Sequence, residues 1–240
     1  MGANAQTTVQ KFLSGAVLTA EQQNTSAATG VPVFATTVTR DAAFGGANKV
    51  LAEGQLAYIE ATNVVQFYDG AAWATVGPSG LVVVKAETAF TAIGNVIADN
   101  VFTSSYTNYQ IRLTGTGVYS AVTLQLRVGG VAATSNYNIQ KLSGNSATAS
   151  AVRTTDAASA SIGELSTVNG STVLDLFGPQ LAAQTQFWAQ MLHNGDTAIT
   201  PLVTVVAGNH STATAYDGLI LTFGGDSTGT YTIYGYGKTL

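Results

Sequence analysis

The feature that most constrains the fold is strict two-residue alternation. In Tyr109-Gln110-Ile111-Arg112-Leu113-Thr114, the residues Tyr109, Ile111 and Leu113 fall on one side and polar residues on the other. The segment 122–128 repeats the pattern, with Val122, Leu124, Leu126 and Val128 on one side. Successive side chains of a strand point to opposite faces, so this period predicts strands with one buried and one wet face. Residues 172–177, 187–192, 202–206, 219–223 and 230–236 are further strand candidates, and Tyr231, Tyr234 and Tyr236 are expected to pack across strands. Glycines at 115, 117, 129–130, 195 and 224–225 punctuate these runs. Many short strands parted by glycine turns predict an all-β fold, with an antiparallel, jelly-roll-like β-sandwich over residues 81–240. Only 147–160 lacks a pattern, and it is expected to be a polar strand or loop.

Before the sandwich, Pro78 and Gly80 mark a linker at 78–80, where neither strand nor helix continues. Residues 31–77 read as a small β-meander module. Strands are expected at 55–60, 64–68 and 73–76, with a turn of helix at 39–44 capped by Thr39. Such a module buries little apolar area, so it is expected to need a partner surface, namely copies of itself. Residues 1–30 are polar with one apolar patch, Phe12, Leu13, Val17 and Leu18. They read as an attachment arm with a short helix started by a capping box at Thr19 and Gln22.

Composition narrows the chemistry. Charged residues are 9% of the chain, against about 25% in an ordinary soluble domain. Hydrophobic residues reach 46%, enough to build a core. The net charge is −4 and no two basic residues are adjacent, which argues against nucleic-acid binding. The longest aliphatic run, 81–84, is strand-sized, so no membrane insertion is expected. With no cysteine, disulfides and thiolate chemistry are excluded. The first eight residues have neither a basic nor an apolar stretch, so no secretory signal is expected.

Candidate chemistry is sparse. His193 and His210 are the two histidines, and neither has the spacing of a zinc motif. Asp217 and Asp226 lie beside glycines, where turn formation is the ordinary role and calcium the sharper one. No serine sits in a nucleophile elbow. The run Gly235-Tyr236-Gly237-Lys238-Thr239 lacks the first glycine of a phosphate-binding loop. No cofactor, metal or catalytic residue is therefore expected. Tyr106, Tyr109, Tyr119, Tyr137, Tyr216 and Trp188 are the aromatics to test for sugar stacking, with core packing the ordinary role of each. Tyr119 and Tyr137 sit beside Gly or Asn in expected loops, and are the candidate receptor contacts.

Two stretches carry a family resemblance. Phe12-Leu13-Ser14-Gly15-Ala16-Val17-Leu18-Thr19-Ala20 is followed by Arg40-Asp41-Ala42-Ala43-Phe44, Glu53-Gly54-Gln55-Leu56-Ala57-Tyr58 and Tyr68-Asp69-Gly70-Ala71-Ala72-Trp73. This order resembles the N-terminal region of tailed-phage minor tail and fibre proteins. The second stretch includes Tyr106-Thr107-Asn108-Tyr109, Leu124-Gln125-Leu126-Arg127-Val128-Gly129-Gly130 and Asp175-Leu176-Phe177-Gly178-Pro179. It resembles the C-terminal β-sandwich of phage tail-fibre and minor structural proteins. The resemblance implies a non-enzymatic virion protein, made in the host cytoplasm and released by lysis. It implies a homotrimer whose arm, through Phe12, Leu13, Val17 and Leu18, anchors to other virion proteins. The sandwich then faces a host surface glycan or protein. A head fibre or capsid decoration protein is the alternative, and a polysaccharide depolymerase is a third reading.

Overall fold

The computed structural model describes residues 7, 9, 14–15, 17, 19–20, 30–45, 49–77, 80–117, 120–145, 148–194 and 201–237. The chain divides into two compact units, residues 1–78 and 79–239. Both are built of strands, and the fold is all-β.

The first unit is a four-stranded mixed sheet in the order β1 (Val33–Phe34), β2 (Leu56–Ile59), β3 (Val64–Tyr68), β4 (Trp73–Val76). β1 joins β2 in parallel, and the rest is an antiparallel meander. Helix α1 (Thr37–Ala42) covers one face. Its cap is Thr36, not Thr39, so the helix begins earlier than the sequence reading placed it. Thr36 is extended, and its hydroxyl accepts from the Thr39 amide at 3.2 Å. The Thr39 hydroxyl accepts from the Thr36 amide at 3.0 Å in return. That reciprocal pair satisfies two amides that a helix start leaves unbonded. Arg40, 5% exposed, lies on the Trp73 ring at 4.5 Å and bonds Gln66 of β3. It thereby ties helix to sheet beside Phe34, Ala57 and Ile59. The β3–β4 turn forms around Gly70, at φ 97°. Asp69 accepts there from the amides of Ala72 and Ala71, which hold its carboxyl below the usual range.

The second unit is one large antiparallel sheet that curls over itself. Its strands are β5 (Leu81–Ala98), β6 (Asn108–Gly117), β7 (Ser120–Val128), β8 (Val131–Ala132), β9 (Tyr137–Asn145), β10 (Thr148–Ala157), β11 (Ala160–Leu165), β12 (Gly170–Phe177), β13 (Thr185–Asn194), β14 (Pro201–His210) and β15 (Gly218–Tyr236). They run in the order β10-β9-β14-β13-β12-β6-β15-β7-β11, with β5 on β15 and β8 on β7. β11 comes back to pack on β12 and β13, which closes two layers around one core. Alternation sets what lies between the layers. Tyr109, Ile111 and Leu113 of β6 are buried there, as are Val122, Leu124 and Leu126 of β7.

The curl is made in β5 and β15. The first part of β15, residues 219–223, pairs with β7, and the later part, residues 227–235, pairs with β6. β5 runs beside β15 along its length, with register shifts between 222 and 227. A bulge bends a strand and raises its twist, so a long strand can pass from one layer to the other. Ala92 takes φ 50° at this corner, and its amide donates to the Thr228 hydroxyl at 3.1 Å. The rings of Phe90 and Phe223 stack beneath it at 5.0 Å. Gly224 and Gly225 therefore lie within one continuous strand, not in the turn expected between two strands, and Asp226 is a strand residue rather than a loop ligand. Glycine is also required where β6 and β15 cross closely. A Cβ on Gly115 would lie 3.1 Å from the Gly229 Cα, and backbone cannot give way there. The unpatterned stretch contains β10, an edge strand exposed along most of its length.

Candidate binding surfaces

The candidate site residues fall in very different places. Phe12, Leu13 and Leu18 lie outside the described residues, and Val17 is exposed. Tyr119 also lies outside them. Tyr137 corrects the expectation of an exposed receptor contact. It opens β9 on the inner face, is 0% exposed, and its hydroxyl accepts from the Leu126 amide at 2.7 Å. Burial raises its pKa well above the ordinary tyrosine value. Asn136, just before it, does supply a turn-like residue at φ 67°, but the ring that follows goes inward.

Both histidines are core residues. His193 is 2% exposed, with Nδ1 3.0 Å from the Asn194 carbonyl and Nε2 3.5 Å from Glu164. Lys141 bonds the other Glu164 oxygen at 2.8 Å, so a small ionic cluster bridges the two layers. His210 stands edge-on to Tyr137 at 4.5 Å, and its Nδ1 lies 3.1 Å from the Tyr216 hydroxyl. Burial lowers the His210 pKa, because the apolar surroundings penalise the charged ring. The sign follows directly. The unfolded ring binds a proton more readily, so the sandwich is expected to lose stability as pH falls below about 6.5 toward the lower folded value. Urea midpoints measured between pH 8 and 5 test this. His210→Gln should flatten that part of the profile.

Two surfaces remain solvent-facing and chemically distinctive. The first is the face of the small sheet turned away from α1. Register puts Leu56 opposite Phe67, Tyr58 opposite Val65, Val65 opposite Val76, and Phe67 opposite Ala74. All six side chains therefore share one face, and none is charged. Leu56, Phe67 and Val76 are 40%, 36% and 54% exposed.

The second is the outer face of the large sheet. Pairing aligns Asn138, Asn209, Gln186 and Phe177 in one row across β9, β14, β13 and β12. The next row runs Arg153, Gln140, Ala207, Trp188 and Asp175, beginning on β10. Ala207 is small between Gln140 and Trp188, and the missing bulk leaves an open depression of about 500 Å³ bounded by both rows. Trp188 and Phe177 are 40% and 42% exposed at its rim. Asn138 donates from Nδ2 to the Asn209 side-chain oxygen at 3.0 Å, and its own oxygen accepts from the Asp156 amide at 3.2 Å. These bonds hold the amides at fixed angles. Asp175 is turned away, taken up by the Tyr236 hydroxyl at 2.6 Å and Gln110 at 3.0 Å. Burial, then the adjacent Asp175, push Tyr236 up to about 12. Of the aromatics weighed for sugar stacking, Tyr109, Tyr137 and Tyr216 are buried, and Trp188 is exposed. Its place between polar Gln186 and Gln190 on one face of an alternating strand was the available signal.

The sequence matches no protein-family profile and no curated protein. Among solved structures, the sucrose-6-phosphate hydrolase from Lactobacillus gasseri is similar at a TM-score of 0.27 and 12% identity, over 73% of this chain. The chain spans about a third of that enzyme, 34% of its length. That likeness is too slight to carry an argument about fold or function.

Proposed function

We propose that this chain is a bacteriophage virion structural protein of the tail-fibre or minor-tail kind, attaching to the host surface as a homotrimer. The observation that carries the assembly part is the uncharged face of Leu56, Tyr58, Val65, Phe67, Ala74 and Val76. The core on the other side of that sheet centres on Phe34, Ala43, Ala57 and Ile59, which is little for an independent module. Copies of the same face would give it a second core, and three copies about an axis close the assembly without an open edge. The resemblance of the two stretches to phage fibre proteins supports the virion part. The role is binding rather than catalysis, since the outer depression has no carboxylate among its described lining residues to act as acid or nucleophile.

Labelling purified particles with antibody against the chain tests this reading. Signal at the tail or its tip is the expected result. Signal over the capsid would make it a head fibre or decoration protein, and a particle without the chain would overturn the virion reading.

A further inference from the structure

We infer that the depression on the outer sheet face is a binding site for an acidic oligosaccharide, with Trp188 as its stacking platform and Arg153 as its anion contact. This deepens the attachment reading by naming the ligand class, and it rests on that reading only for its biological role.

The chemistry comes from four features held on one rigid sheet. Trp188 presents an aromatic ring, 40% exposed, at the rim of the depression. The apolar C–H face of a pyranose is what such a ring stacks against. Asn209 and Gln186 stand on the row next to it, one strand spacing of about 4.8 Å apart. A primary amide offers a donor and an acceptor together, which matches paired sugar hydroxyls. Asn138, itself held by the Asp156 amide, fixes the orientation of the Asn209 amide.

Charge then selects among saccharides. Arg153 faces the depression from the edge strand β10, and among the described residues it forms no ion pair. With no carboxylate among the described lining residues, its guanidinium sets the local charge. A planar guanidinium takes a carboxylate in two parallel hydrogen bonds, so a uronic or similar acidic sugar fits better than a neutral one. One lone cation is too little for a nucleic acid, whose binding needs a cluster. The volume, about 500 Å³, lies in the range of small-ligand sites, and the depression is open at the surface, as a polymer segment requires.

The test uses the full chain and calorimetric titration against neutral and uronate-containing oligosaccharides. Binding of the uronate-containing members is expected. Trp188→Ala should weaken it at least about tenfold, while Trp188→Tyr retains most of it. Arg153→Gln should weaken the acidic ligands by roughly ten- to a hundredfold and bring them level with the neutral ones. Arg153 is exposed and its variant should keep the parent's thermal midpoint; Trp188 is partly covered, so its alanine variant should lose a few degrees yet unfold cooperatively well above the titration temperature, which separates lost binding from lost fold. Absence of binding across the set, or binding that survives Trp188→Ala, overturns the site. Equal binding of neutral and acidic members overturns the role of Arg153. These results concern the isolated chain, whereas the particle labelling decides the virion reading, so either can fail alone.

Discussion

Replacing Val65 and Phe67 together with lysine is expected to convert the proposed trimer into a monomer. Light scattering at micromolar concentration should read three times 24.6 kDa for the parent chain and a single chain mass for the variant. The two residues are adjacent on the uncharged face, Val65 against Tyr58 and Val76, Phe67 against Leu56 and Ala74. Phe67 is already about two-thirds covered within its own chain, so assembly removes only the remaining part from water, worth about 1 kcal/mol per copy. The larger effect is the charge. An ammonium group brought into an apolar contact without a partner costs several kcal/mol, and it enters three times at a three-fold axis. In the lone module the same lysines point to solvent and cost little, so circular dichroism should stay all-β. A parent chain that runs as a monomer would remove the trimer from the proposal and leave the ligand site untouched.

The second large effect is expected at Tyr109. The residue is 0% exposed between the layers, with its ring 4.8 Å from Phe102 and 6.0 Å from Tyr106. Its hydroxyl accepts from the Thr103 amide at 2.6 Å and donates to the Thr103 carbonyl at 2.8 Å. The Thr103 carbonyl also accepts from the Tyr106 amide at 3.4 Å, so the Thr103 amide is the group that relies on this side chain. Tyr109→Phe is expected to cost about 1 kcal/mol, because it removes the acceptor of the Thr103 amide and one of the two donors to the Thr103 carbonyl. Tyr109→Ala adds the lost packing and the cavity, for a total of about 3–5 kcal/mol or somewhat more. At a urea slope of about 2 kcal/mol/M, the alanine variant should unfold at roughly 2 M lower urea. Emission from Trp188, read in a Trp73→Phe background, reports the sandwich alone. Equal midpoints for the phenylalanine variant and the parent would show that the hydroxyl bonds contribute nothing net.

Much of the fold was legible locally. Strands β3 and β4 begin and end where the pattern of Val64 to Tyr68 and Trp73 to Val76 places them, because Asn63, Asp69 and Gly70 supply turn chemistry on either side. The inward set of β6 and the first three members of the β7 set follow from period two, whereas Val128, at the end of β7, is exposed. Other features depended on residues far apart in the chain. Gly224 and Gly225 have the composition of a turn, yet pairing with β5 and β7 carries the strand through them and makes a corner. The helix cap moved to Thr36 because two threonines three residues apart satisfied each other, and either threonine alone fits the cap pattern.

Candidate sites were less legible than strands. Tyr137 stands between two asparagines and Trp188 between Phe187 and Ala189, yet register turns the first ring to the inner face of the β9-β14-β13 stretch and the second to its outer face. The row of Arg153, Gln140, Ala207 and Trp188 is drawn from four strands spread over nearly seventy residues, and no local signal relates them. Alternation along a chain is set by the geometry of the backbone, which each residue carries wherever it goes. Which face meets the core, where a long strand turns the corner, and which four side chains surround one depression are set by register between strands, and register exists only once the sheet has closed.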